Sequence, residues 1–320
     1  MAKKPTKKPV KKPAAKQSAA SRRLKQSSYK SFRLHKRISH QNAKLPNAFR
    51  LFKQSLVPLK THPKLFFGIT IIYGLLTIIL VRGIGGGLNL TEIKDTFKEG
   101  FEGEFSSLAT GVTLFSYLVG SAGSSSSETG GVYQTLLIII VSLAIIWSLR
   151  QLMAHNVVRV RDSFYKGMYP LVPFISVLLV ITLQMIPLLV GSWLYSTVVN
   201  NAIAVTTPEK LIWLLLFLLM AVLSLYMICS SIFALYIVTL PDMTPMKALR
   251  SARQLVLHRR FLVLRKVLFL PLALLLLAAI IIIPLIIFVT PLAEWVFFAL
   301  SMFVLAIIHS YVYALYRELL

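Results

Sequence analysis

Acidic residues are scarce in this chain and badly distributed: 11 Asp and Glu stand against 35 Lys and Arg. None of the acids falls in residues 1–64, where 19 of the cations lie. The formal charge of +24 is therefore largely the property of one tail, which excludes a uniformly basic soluble nucleic-acid-binding protein. Charged residues make up only 14% of the sequence and hydrophobic ones 56%, with a mean hydropathy of +0.73. That leaves too little polar surface for a soluble domain and predicts a membrane protein. Cysteine is nearly absent too. The single Cys229, inside an apolar run, rules out a disulfide framework or a thiolate zinc site. Catalytic parts are also missing: there is no HExxH spacing, no paired carboxylates within an apolar run, and no Ser, His and acid placed to converge. No enzyme activity, metal or cofactor is expected.

What the sequence does contain is apolar runs long enough to cross about 30 Å of hydrocarbon. Six qualify, at about 65–81, 132–149, 171–195, 211–240, 267–289 and 291–314. They lack the alternation of barrel strands, and a backbone in lipid must satisfy its own hydrogen bonds, so they are expected to be helices. The fourth run is long enough to predict an extension beyond the membrane.

The cations orient these spans. With the N-terminus inside, the inner segments hold the tail, Arg150, Arg159, Arg161, Lys166, the group from Lys247 to Lys266, and Arg317. The outer segments hold only Arg82, Lys94, Lys98 and Lys210. Both termini are expected to be cytoplasmic, in a plasma or inner cell membrane. Because the first apolar run starts only at Leu65, the N-terminus is expected to be retained rather than removed as a signal peptide.

Residues 1–44 are expected to be a disordered polybasic tail, since like charges and repeated Pro leave nothing to bury. Lys3, Lys4, Lys7, Lys8, Lys11 and Lys12 sit in KKP repeats that resemble, in composition, the tails of linker histones. Two readings stand for them: attraction to the anionic inner leaflet, or backbone contact with a nucleic acid or other polyanion. The domain from 45 to 320 then opens with an amphipathic segment in which Ala48, Leu51, Phe52 and Leu56 share a face, predicting an interfacial helix.

Similar short segments precede spans three and five, and each of the three meets a proline on entering the membrane: Pro63, Pro173 and Pro271. This predicts three helical hairpins related by weak repetition. The third segment is the best formed, with Thr244 as N-cap, Pro245 at the first helical position, and Lys247, Arg250 and Arg253 beside an apolar stripe. Those three cations are candidates for lipid headgroups or for an acidic partner. The run from Met246 to Leu255 ahead of a long apolar hairpin, and the three-hairpin layout, resemble the six-span bacterial inner-membrane family that includes YciC-like proteins and the membrane domain of some glycerophosphodiester phosphodiesterases. The resemblance implies a helical membrane module serving the envelope and transfers no catalytic residue.

The outer connection, 83–131, predicts an anionic amphipathic helix from Asn89 to Leu108, a second apolar stretch at Val112–Val119 that dips into the bilayer, and a Ser/Gly linker. It is expected to act as a lid over the bundle or as a surface for a protein partner. Within the spans, ionisable residues are rare, as cost dictates. Glu294 suits the first turn of span six behind Pro291, and His309 reads as an interfacial or hydrogen-bonded histidine. Pro187 and Pro284 interrupt spans three and five at matching places, which with Gln184 and Glu294 makes a candidate transport site. The sequence thus predicts an all-α integral membrane bundle of six spans with cytoplasmic amphipathic helices. Its expected role is a non-enzymatic scaffold or envelope-associated factor binding anionic lipid or a polyanion. The alternative is a small-molecule or lipid transporter.

Overall fold

A computed structural model describes residues 46–82, 106–121, 128–257 and 259–320. Among them there is no strand. The helices are α1 (Ala48–Thr61), α2 (Pro63–Thr77, wound on through Arg82 as a π turn), α3 (Ser106–Ser121), α4 (Glu128–Met153), α5 (Val160–Gly167) and α6 (Leu171–Gln184). They continue as α7 (Ile186–Asn200), α8 (Thr207–Ser231), α9 (Ala234–Ile237), α10 (Pro245–Val256), α11 (Arg260–Phe288) and α12 (Thr290–Leu319). The tail at 1–44, and the outer segment from Asn89 to Phe105, lie outside the described residues.

Six stretches are long and apolar enough to span a membrane: Pro63–Val81, Gly130–Met153, Leu171–Asn200, Thr207–Ile237, Arg260–Phe288 and Thr290–Leu319. This is a multi-pass membrane protein. The spans run beyond the apolar runs of the sequence because a charge ends a hydropathy run without ending a helix. Arg260, Arg265 and Lys266 continue the hydrogen-bond ladder of α11, as Arg317 and Glu318 do in α12.

Burial is uneven. The most apolar stretch of Gly130–Met153 is 56% buried, whereas those of Leu171–Asn200 and Thr207–Ile237 are 17% and 6% buried. The main core forms around α4 and the last turns of α12, with Leu51 of α1, Phe174 of α6, Phe233 before α9 and Ala252 of α10 closing on it. A smaller cluster at the other end joins Leu114 and Leu118 of α3 to Ile282, Ile286 and Phe297. The helix ends carrying Arg150, Arg253, Arg260 and Arg317 gather at the larger core; we call this the basic end. Two of those cations tie elements together there. Arg150 donates to the Thr239 carbonyl, and Arg317 Nη1 lies 2.9 Å from Met153 Sδ.

Small residues set the closest approach. Gly167 places α5 against the backbone of α4, where an added Cβ would stand 3.1 Å from Ala144 Cα, and the Ser148 hydroxyl reaches Ser163 Oγ at 2.7 Å. Without a hydrophobic drive between helices in lipid, such close packing and interhelical hydrogen bonds carry the association.

Several expectations change. Helix α1 forms where its apolar spacing predicts, and it docks on α12: Ser310 Oγ donates to the Ser55 carbonyl at 2.5 Å, and Phe52 packs near Tyr311. The extension of the fourth run is bent. Ser230 and Ser231 return hydrogen bonds to the Met227 carbonyl, the helix turns, and the fully buried Phe233, Ala234 and Ile237 re-enter the core. The stretch Val112–Val119 belongs to α3, which packs along α11, with Gly111 against Ile283 and Ile287. Thr244 has the extended N-cap backbone, yet its side chain makes no cap bond. The capping box instead stands at Thr206 and Glu209, whose Oε2 accepts from Val205 N at 3.0 Å and Thr206 N at 3.3 Å.

Candidate functional site

The break in span three begins with proline chemistry. Pro187 has no amide proton, and its ring crowds the carbonyl four residues back, which favours a break or kink at this point. It stops at Gln184 and restarts at Ile186. The amide of Leu188 leaves the helical ladder and donates to Ser224 Oγ of α8 at 3.1 Å. A polar group from the neighbouring span thus satisfies a backbone donor that lipid would not.

Directly before this break, Gln184 faces a cavity of about 530 Å³ bounded by α6, α8, α10 and the start of α11. Its polar lining is Gln184, Tyr226, Ser230, Ser231, Arg250, Arg253 and Arg260, among the apolar Val180, Met227, Met246 and Leu249. Gln184 Oε1 is buried without a hydrogen-bond partner. In an apolar surrounding such a group is expensive to leave unmatched, which marks it as a place for a ligand donor or water. Because the amide reads the same in outline when turned, it can serve either a donor or an acceptor.

The three arginines reach the cavity by different routes. Arg250 and Arg253 project from the exposed side of α10, whose other side buries Ala248, Ser251 and Ala252 in the core. Neither has an ion-pair or hydrogen-bond partner among the described residues. Arg260 is held in place: its guanidinium lies 4.8 Å from the centroid of the Tyr226 ring, Nη1 donates to Tyr226 Oη, and its carbonyl accepts from Cys229 Sγ at 3.7 Å. Among the described residues no carboxylate lines the cavity. Three guanidiniums with no carboxylate among the described lining residues make the space positively charged.

Another cation at this end is already used. Lys266 is buried and its ammonium donates to the Pro46 carbonyl at the entry to α1, while Tyr311 Oη donates to the Lys266 carbonyl at 2.9 Å. His309 is likewise internal, its Nδ1 2.9 Å from Tyr236 Oη within a cluster that includes Tyr313 and Tyr316.

The structure therefore divides the candidates differently from the sequence. It brings Gln184 together with Arg250 and Arg253, which the sequence had placed in separate groups. It does not bring Gln184 together with Pro284 or Glu294. Pro284 is exposed within the continuous helix α11; Glu294 does not fall in the first turn of α12, which begins at Thr290 and holds no acid there, and it does not line the cavity. Pro187 acts beside the cavity by breaking the helix. Lys247 is exposed on α10 and does not line it. Lys3, Lys4, Lys7, Lys8, Lys11 and Lys12 lie outside the described residues.

Arg260 and Tyr226 are the lining residues that sequence reasoning missed. Arg260 read as one more topology-setting cation. Tyr226 read as one aromatic in an apolar run, although its spacing to Ser230, four residues on, puts both on one helical face. Among the described residues no group of three or more His, Cys, Asp and Glu could hold a metal. No family model, no curated protein and no solved structure matches the chain.

Proposed function

We propose that this chain is a non-enzymatic membrane protein that holds anionic lipid at the inner face of a cell membrane. The basic end is cytoplasmic in this reading, because positive connections are retained inside. The bundle is three hairpins, each introduced by one of α1, α5 and α10. The tail with Lys3, Lys4, Lys7, Lys8, Lys11 and Lys12 adds a diffuse attraction to the same leaflet, worth about 1 kcal/mol per cation near the surface and weakened by salt. The observation that carries the reading is the cavity with Arg250, Arg253 and Arg260 and no carboxylate.

The test is lipid retention by the full chain released from nanodiscs of mixed phosphatidylglycerol and phosphatidylcholine, read by native mass spectrometry. Retained phosphatidylglycerol should fall sharply in the triple variant R250Q/R253Q/R260Q at unchanged helicity. Equal retention by wild type and variant would overturn the reading.

A transporter is the second reading, supported by the broken span three beside the cavity and by the little burial of spans three and four. Movement of a fluorescent anionic lipid between leaflets of proteoliposomes, stopped by Pro187→Ala, would establish it in place of simple holding.

A further inference from the structure

A second cavity, of about 520 Å³, adjoins the first and shares Tyr226, Arg253 and Arg260 with it. Both chambers have largely apolar walls. The first continues to Gln184, Ser230, Ser231 and Arg250 among the apolar Val180, Met227, Met246 and Leu249. The second continues to Cys229, Leu257, Phe261 and Leu264, with no further charge among the described residues. Phe261 is 81% exposed at this end of α11, an apolar ring beside arginines that needs an apolar neighbour. Apolar walls on both sides of two shared guanidiniums, with the further polar groups in the first chamber only, match an amphiphile with its charge at the junction.

The charge arithmetic narrows the head. Three guanidiniums without a carboxylate leave a phosphodiester, with one negative charge, well short of balance. A phosphomonoester carries about −1.5 to −2 near neutral pH and three acceptor oxygens, enough for more than one bidentate arginine contact. A zwitterionic head would bring a cation into a space where no acid among the described residues can receive it. Its alternative partner, the Tyr226 face, is occupied by Arg260. Gln184, whose Oε1 is buried without a hydrogen-bond partner, lines the same chamber, where its amide can meet a phosphate oxygen or a hydroxyl of the head.

Resting on the anion-site reading above, we infer that the preferred ligand is a phosphomonoester amphiphile. Its phosphate is held by Arg250, Arg253 and Arg260, and its chain leaves over Leu257, Phe261 and Leu264.

The test offers the full chain in zwitterionic nanodiscs equal amounts of phosphatidic acid and phosphatidylglycerol with identical acyl chains, and separately glycerol 3-phosphate as a chainless phosphomonoester. Retention of phosphatidic acid should exceed that of phosphatidylglycerol by about tenfold, and R253Q should lower it by about the same factor. Phe261→Ser should weaken phosphatidic acid and leave glycerol 3-phosphate unchanged. Should R253Q fail to fold, R253K keeps the charge without the bidentate fork and should give an intermediate loss. Equal retention of the two lipids, both lost in R253Q, would overturn the monoester assignment and leave the anion site standing. Glycerol 3-phosphate binding as tightly as phosphatidic acid would overturn the role of the second chamber. Retention indifferent to all three arginines would overturn the inference together with the reading beneath it.

Discussion

Spans two and four are similarly apolar, with mean hydropathies of 2.2 and 2.7, yet one is 56% buried in its central stretch and the other 6%. Hydropathy sets membership of the membrane, and small residues set membership of the core. Span two presents Ser142, Ala144 and Ser148, all buried, and Ala144 and Ser148 receive α5 through Gly167 and Ser163. Span four presents large side chains along most of its length, and Gly191 of α7 makes room for Met220. The basic end gains shape and rigidity from the first kind of helix. The second kind leaves an exposed wall beside the arginine cavity.

The contrast breaks most severely at Gly167. In Gly167→Leu the side chain meets the backbone of Ala144, which cannot step aside, so a loss of about 3 kcal/mol or more is expected. The readout is the thermal midpoint in detergent. Leu143→Ala, in span two, should cost about 2 kcal/mol through lost packing and a cavity, while Leu215→Ala, 68% exposed in span four, should stay within about 0.5 kcal/mol. Equal losses at the two leucines would erase the distinction between core span and lipid-facing span. Tyr236→Phe removes the bond to His309 in the fully packed aromatic cluster and should cost about 1 kcal/mol by the same melt. The smallest expected effect is Ser224→Ala, about 0.6 kcal/mol, the usual scale of a polar contact between membrane helices. It should show as faster hydrogen exchange at Leu188 without a change elsewhere.

The spans were readable because crossing lipid demands length and apolarity, properties a single sequence states outright. The break at Gln184 was readable through Pro187, since a missing amide proton is a local fact. The cavity was not. Arg253 and Arg260 are close in sequence and look alike, and only the fold shows one exposed on an amphipathic helix and the other stacked on Tyr226 of a different span. The docking of α1 was equally hidden, because the bond from Ser310 to Ser55 joins residues far apart whose polarity says nothing of their partner. The bend after Ser231 went unseen for a related reason: hydropathy is blind to serine hydroxyls returning bonds to a carbonyl in their own helix. Matching prolines misled about shared geometry, since Pro187 ends a helix and Pro284 rides on the exposed face of an unbroken one.

The central claim is that anionic lipid sits where the three arginines converge. It is tested most directly by photocrosslinking a phosphatidylglycerol analogue with a reactive group near its phosphate to the full chain in native-like membranes, then mapping the adducts. The account predicts adducts concentrated in the peptides holding Tyr226 to Ser231 and Arg250 to Leu264, and their loss in R250Q/R253Q/R260Q. Adducts spread evenly along the exposed faces of spans three and four, unchanged by those substitutions, would contradict it.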